Sequence, residues 1–153
     1  MPRTMERVPR AAKSGALVLA TALMIAGAAH AGLVEIAVTG IAQARGHVRV
    51  ELCTKTTFLT KDCPYQGMAP AMRGATLVQI SNVPPGEYAA QAFHDETDQG
   101  VVHQNAFGIP RERIGFSNDA PLRASGPRFN DAAFSVGGEM RRITLRVKHL
   151  FSQ

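Results

Sequence analysis

Tryptophan is absent from the 153 residues, tyrosine occurs twice and phenylalanine seven times. With so few flat rings, no platform for stacking bases or sugars is evident. Cysteine occurs only at positions 53 and 63, so none lies near the N-terminus to carry a lipid anchor. Nor do the two show the C-x-x-C spacing of a redox pair or the extra nearby ligands of a zinc site. No apolar run reaches the about 20 residues that a helix needs to cross a bilayer comfortably. The longest, residues 15–29, has fifteen. Internal repeats, low-complexity tracts and a G-x-S-x-G nucleophile elbow are also missing.

What is present at the N-terminus is an export pattern. Arg3, Arg7, Arg10 and Lys13 precede the apolar run, and Ala29-His30-Ala31 offers small residues before Gly32. That is the order of a secretory signal peptide cleaved between Ala31 and Gly32. The chain is therefore expected to be periplasmic or secreted, without a stable membrane span after processing. Its 17 basic and 12 acidic residues give a net charge of +5, but residues 32–153 keep 13 and 11, a net of +2. So small a balance excludes the concentrated basic footprint of a nucleic-acid protein. The 122 residues after the leader are the size of one domain and suffice for one sheet-on-sheet core.

In an oxidising compartment Cys53 and Cys63 are expected to close a disulfide around the polar loop "TKTTFLTKD". Most of the remaining chain alternates as strands do. Val34, Ile36 and Val38 share one face of "LVEIAVTG", and Val48, Val50 and Leu52 one face of "HVRVELCT". "IAQARG" between them suits a hairpin connection. Val78 and Ile80 mark a third strand. Pro84-Pro85-Gly86 then reads as a type II turn, with Gly86 taking the positive φ, before "EYAAQAF" resumes the strand. "RRITLRVKHL" sets Ile143, Leu145 and Val147 inward and Arg142, Thr144, Arg146 and Lys148 outward. The expected fold class is all-β, a single antiparallel β-sandwich.

Residues 94 to about 130 break the pattern. A connection that long is uncommon in a compact domain unless it is functional or disordered. Phe107, Ile109, Ile114, Phe116 and Phe129 argue for a loop pinned to one end of the sandwich. Its polar side chains supply the candidate binding set: His94, Asp95, Glu96, Asp98, His103, Asn105, Arg111, Ser117 and Asn118. As a calcium loop, Asp95, Thr97 and Gln99 before Gly100 place one carboxylate where a hard cation needs several, so Thr97 and Gln99 disfavour calcium and no cofactor is expected. As a transition-metal site, His94, His103 and Asp95 lack a clear fourth ligand. As a catalytic site, His94 and Asp95 form a hydrolase or isomerase pair, yet "GFSND" suits a turn better than a nucleophile. Arg111, Arg113, Arg123 and Arg128, with Arg142, Arg146 and Lys148, offer cations to phosphate or carboxylate groups. An exposed edge that resists pairing accounts for them better.

"PPGEYAAQAFHDETDQG…NAFGIPRERIGFSND…GPRFNDAAF" resembles the bacterial extracytoplasmic family known as domain of unknown function 2141. The shared positions are Pro84, Pro85, Gly86, Tyr88, His94, Asp95, Glu96, Gly100, Gly108, Ile109, Pro110, Gly115, Phe116, Ser117 and Asn118. Where that family carries Asn-Gly-Asn-Gly, this chain has Thr97-Asp98-Gln99-Gly100, and His103 replaces a common later Asp. The family loop is calcium-like, and these exchanges remove several of its polar groups. The resemblance implies a β-sandwich of the transthyretin-like or carboxypeptidase-regulatory kind and no particular activity. The reading is thus an exported, non-catalytic envelope binding module with an unknown glycan, lipid or protein ligand. A divalent-metal module centred on Asp95 and an enzyme using His94 and Asp95 are its alternatives.

Overall fold

The structure, a computed structural model, describes residues 30–123 and 125–150. The expected leader covers residues 1–31, of which 1–29 lie outside the described residues. Eight strands follow: β1 Gly32–Ile41, β2 His47–Cys53, β3 Tyr65–Pro70, β4 Gly74–Val83, β5 Gly86–Asp95, β6 Ile114–Phe116, β7 Ala133–Val136 and β8 Arg141–Arg146. A 3-10 turn, Ser117–Asp119, and one short helix, α1 Phe129–Ala132, complete the elements. One sheet has the order β4-β1-β8. The other runs β3-β2-β5-β6, with β7 also paired to β5.

The alternating residues build the interface between the sheets. Val34, Ile36 and Val38 of β1 and Val48, Val50 and Leu52 of β2 are all 0% exposed and belong to one core cluster with Val78, Ile80, Leu145 and Val147. Each such burial contributes about 1.5–3 kcal/mol. Among the described residues, the side chains of that cluster lie between Val34 and Val147.

Several local expectations are corrected. β1 and β2 do not form a hairpin: β1 pairs with β4 and β8, β2 with β3 and β5. Both strands carry a fully apolar face, and stacking those faces buries more than laying the strands side by side. The link therefore crosses between sheets. It passes through Gly46 at φ 69, where a Cβ would stand 2.0 Å from the Asp95 carbonyl oxygen. The pairing of β1 with β8 is parallel, in an otherwise antiparallel fold. Gly86 does not take a positive φ; Asn82 does, at 59°. Pro84 and Pro85 form a corner between sheets, closed by the Tyr88 hydroxyl donating to the Pro84 carbonyl at 3.1 Å. Gly86 is small there because a Cβ would meet the Tyr88 ring at 3.3 Å.

The segment from 94 to 130 is less irregular than its sequence suggests. β5 continues through Asp95, and β6 adds to its edge. Backbone bonds between Ile114 and Lys148, at 3.0 and 2.9 Å, tie β6 to the end of the opposite sheet. Phe116 and Phe129 do pin it: with Phe58, Ala89, Ala120 and Ala132 they form a second apolar cluster outside the five-stranded sheet. The Phe58 ring meets both phenylalanines edge-on at 5.8 Å. Phe107 does not take part and is 87% exposed.

Candidate binding cleft

The polar residues singled out in the sequence are not brought together in one site. Consecutive strand residues face opposite ways, so His94 points inward and Asp95 outward, and both are buried. His94 Nε2 lies 2.9 Å from the Arg45 carbonyl oxygen. Its Nδ1 has no hydrogen-bond partner and sits 3.7 Å from a Glu96 carboxylate oxygen.

Asp95 accepts from Arg49 Nε at 2.8 Å, the Gln99 N–H at 3.1 Å and the Gly100 N–H at 2.7 Å. A positive φ at Asp98 and Gly100 folds the chain back so that both amides reach it. Burial pushes the Asp95 carboxyl up, but bonds from Gly100, Arg49 and Gln99 outweigh it and leave its pKa below the ordinary value. The neighbouring carboxylates are engaged in the same way. Glu96 pairs with Arg45 at 2.9 Å, Asp98 with His47 at 2.6 Å and Glu112 with His103 at 2.6 Å.

These contacts do not fit a divalent cation. The Arg49 guanidinium stands where a cation would sit beside Asp95, and the other carboxylates are already engaged by Arg45, His47 and His103. Among the described residues the one group of three ligand-type side chains is Glu51, Cys53 and Cys63. Its two sulfurs form the expected disulfide, with Cα atoms 4.5 Å apart, and are not free to ligate.

Ser117 and Asn118 lie further along β5. Ser117 is fully buried; its Oγ accepts from the Ala90 N–H at 2.9 Å and donates to the Ala132 carbonyl at 2.5 Å. Asn118, at φ 57, donates from Nδ2 to the Ala133 carbonyl at 2.9 Å. Ser117 thus ties α1 to β5, and Asn118 ties the 3-10 turn to the start of β7. Asn105 closes a turn, its Oδ1 accepting from the Phe107 and Ile109 N–H groups. Arg111 is exposed.

The hollow in the surface lies elsewhere, on the outer face of the five-stranded sheet. The register places Gln66, Glu51, Gln91 and Phe116 side by side across β3, β2, β5 and β6. Met68, Arg49, Phe93 and Ile114 form the next row. At one end this face is covered by the Phe58 cluster and at the other by the turn over Asp95. Between them opens a cleft of about 500 Å³, beside a hollow of about 290 Å³ over Arg49 and Met68 that shares Glu51, Gln66, Phe93 and Gly100 with it. One wall is the disulfide loop, with Leu59, Thr60 and Lys61. The other is the segment carrying Val101, Val102, Gln104 and Pro110.

Gln91 braces the first wall: its Oε1 accepts from the Leu59 N–H at 3.2 Å, and its Nε2 donates to the Thr60 carbonyl at 3.1 Å and to Glu51 at 2.5 Å. A concave site of this volume, with apolar walls and a few convergent polar groups, has the character of a small-ligand pocket. None of the candidate residues from the loop lines it. The signal that would have located it is the outward position of Arg49 and Glu51 on β2, which matters only once β2 is known to pair with β5.

Among the described residues no helix is long and apolar enough to cross a membrane. No curated protein and no solved structure matches the chain. The model of a family described as uncharacterised proteins conserved in bacteria, domain of unknown function 2141, matches residues 36–144, well over half of the chain. By that match, over the stretch that holds both sheets and the cleft, this chain belongs to the domain of unknown function 2141 family.

Proposed function

We propose that the chain is an exported, non-catalytic binding module of the bacterial envelope, and that its ligand occupies the cleft over β2, β3 and β5. The cleft itself carries this reading: about 500 Å³, walled by Leu59, Val101 and Val102 and floored by Glu51, Gln66 and Gln91. Such a lining suits a small amphipathic molecule, its apolar body between the walls and its hydroxyl or amide groups on the floor. The lining has no histidine, and its one carboxylate, Glu51, is held by Gln91. That composition favours holding a ligand over moving a proton. The leader pattern and the disulfide support export.

The test is a panel of envelope glycans, phospholipids and short peptides, read by thermal melting of the chain from Gly32. A true ligand at a hundred times its Kd adds about 2.7 kcal/mol to stability. The Gln66→Ala variant, altered on the cleft floor without losing a core contact, loses that gain. A panel that leaves melting unchanged contradicts the proposal, as does a shift that persists undiminished in Gln66→Ala.

A further inference from the structure

The segment 101–112 is a narrow finger whose tip is, among the described residues, the one large apolar side chain left almost fully outside. His103 and Arg111 are joined by a 2.9 Å backbone bond, and Gln104 and Pro110 form a bridge. Beyond them the turn is tightly held. The Asn105 N–H donates to the Ile109 carbonyl at 2.9 Å and the Gly108 N–H to the Asn105 carbonyl at 3.0 Å, while Asn105 Oδ1 accepts from two further amides. Gly108 at φ 75 completes the reversal. Phe107 is therefore held out by a braced turn at 87% exposure, within the apolar run Ala106-Phe107-Gly108-Ile109-Pro110.

Two cations at the base of this finger are left without an ion-pair partner. Asp95 and Glu96 are paired with Arg49 and Arg45, while Asp98 and Glu112 bond to the His47 and His103 rings. Arg111 and Arg113 have no side-chain partner among the described residues.

We propose that the finger is a peripheral membrane anchor that inserts Phe107 into an anionic phospholipid bilayer, with Arg111 and Arg113 on the lipid phosphates. A second copy is a poorer occupant. One phenylalanine offers about 150–250 Å², against about 800 Å² per partner in a stable interface, and the unpaired arginines of two fingers repel. A bilayer needs no shape complementarity, accepts a single apolar wedge near the headgroups, and attracts cations placed beside it. The base of the finger forms a cleft wall, but Phe107 lies outside the lining, so the proposal does not rest on a cleft ligand.

Because the chain has no tryptophan, Phe107→Trp supplies a single reporter. The chain from Gly32 carrying it is mixed with equimolar phosphatidylglycerol–phosphatidylcholine vesicles and with pure phosphatidylcholine vesicles. The expected result is a blue-shifted emission on the anionic vesicles only. In co-sedimentation, Phe107→Ser lowers binding about tenfold to a hundredfold, with unchanged melting. Arg111→Gln and Arg113→Gln each lower it about fivefold at low salt. Leu77→Ser, on the outer face of the opposite sheet and 48% exposed at Leu77, leaves it unchanged. Emission that stays put on both vesicle types overturns the proposal. So does equal sedimentation of wild type and Phe107→Ser, or a shift produced by envelope protein but not by lipid.

Discussion

Replacing Asp95 by Asn tests whether the polar loop is a structural clamp. The substitution keeps the shape of the side chain and one acceptor oxygen, but removes the charge that three donors address. Hydrogen bonds to a charged group are worth about 1.5–3 kcal/mol each, and neutral ones about 0.5–1.5. At the low end of both ranges, losing the difference over the two bonds that keep an acceptor, and one bond outright, sums to about 3.5 kcal/mol. Arg49 is 29% exposed at its side chain and recovers part of this by hydration, so the loss expected is about 2–3 kcal/mol. For a domain of this size that lowers Tm by about 8–12 °C.

The sign of the pH dependence follows from the lowered pKa of Asp95. The charged form is favoured by folding, so the stabilisation is complete above the unfolded value of about 3.9 and is lost as pH falls through the lower folded value. Calorimetry on both proteins from neutral pH downward provides the assay. The gap in Tm should be full at neutral pH and narrow below about pH 4. A gap that is negligible at neutral pH, or that stays constant into acid, refutes the clamp. Taking the difference between the proteins removes the parallel contribution of Glu35, whose pKa is lowered by Arg142 and Gln79 and which wild type and variant share.

Three further outcomes follow from the same contacts. Replacing Cys53 and Cys63 by Ala frees a loop closed over a sequence separation of 10 and should cost about 2.8 kcal/mol in denaturant melts. It should also speed hydrogen exchange at Leu59 on the cleft wall. Ser117→Ala leaves the Ala90 N–H and the Ala132 carbonyl without their buried partner and should cost about 1–3 kcal/mol; an unchanged melt would place Ser117 outside the packing of β7. Millimolar calcium should leave Tm where a chelator leaves it, because Arg49 holds the carboxylate a cation would need; a rise of several degrees on calcium would contradict that geometry.

The strands were legible because burial imposes a two-residue period: Val34, Ile36, Val38, Val48, Val50, Leu52, Leu145 and Val147 all face the core as their spacing requires. Which strands become neighbours was not legible. A strand with one apolar face can pair beside another or stack upon it, and nothing local to "IAQARG" separates the two. β3 escaped notice because "YQGMAP" is weak strand sequence. It is tolerated at an edge, where Pro70 needs no ladder bond on its open side.

The role of the polar loop had a readable trace. Arg45, His47 and Arg49 recur at every second residue, opposite a segment bearing Asp95, Glu96 and Asp98, and the antiparallel register aligns His47 with Asp95. The cleft left only the outward alternation of Arg49 and Glu51, which locates nothing until β2 is paired with β5 and Glu51 meets Gln91, 40 residues on. Phe107 misled because an apolar residue in a loop suggests an anchor, whereas the Asn105 turn aims it away from the sandwich.

The most direct test of the account is side-chain NMR of the chain from Gly32, titrated with whichever panel member stabilises it. The account predicts shifts in the Gln66 and Gln91 amide groups and in the Leu59, Val101 and Val102 methyls, with His94 and Ser117 unmoved. Shifts centred on residues 94–98, with the cleft side chains silent, would contradict it.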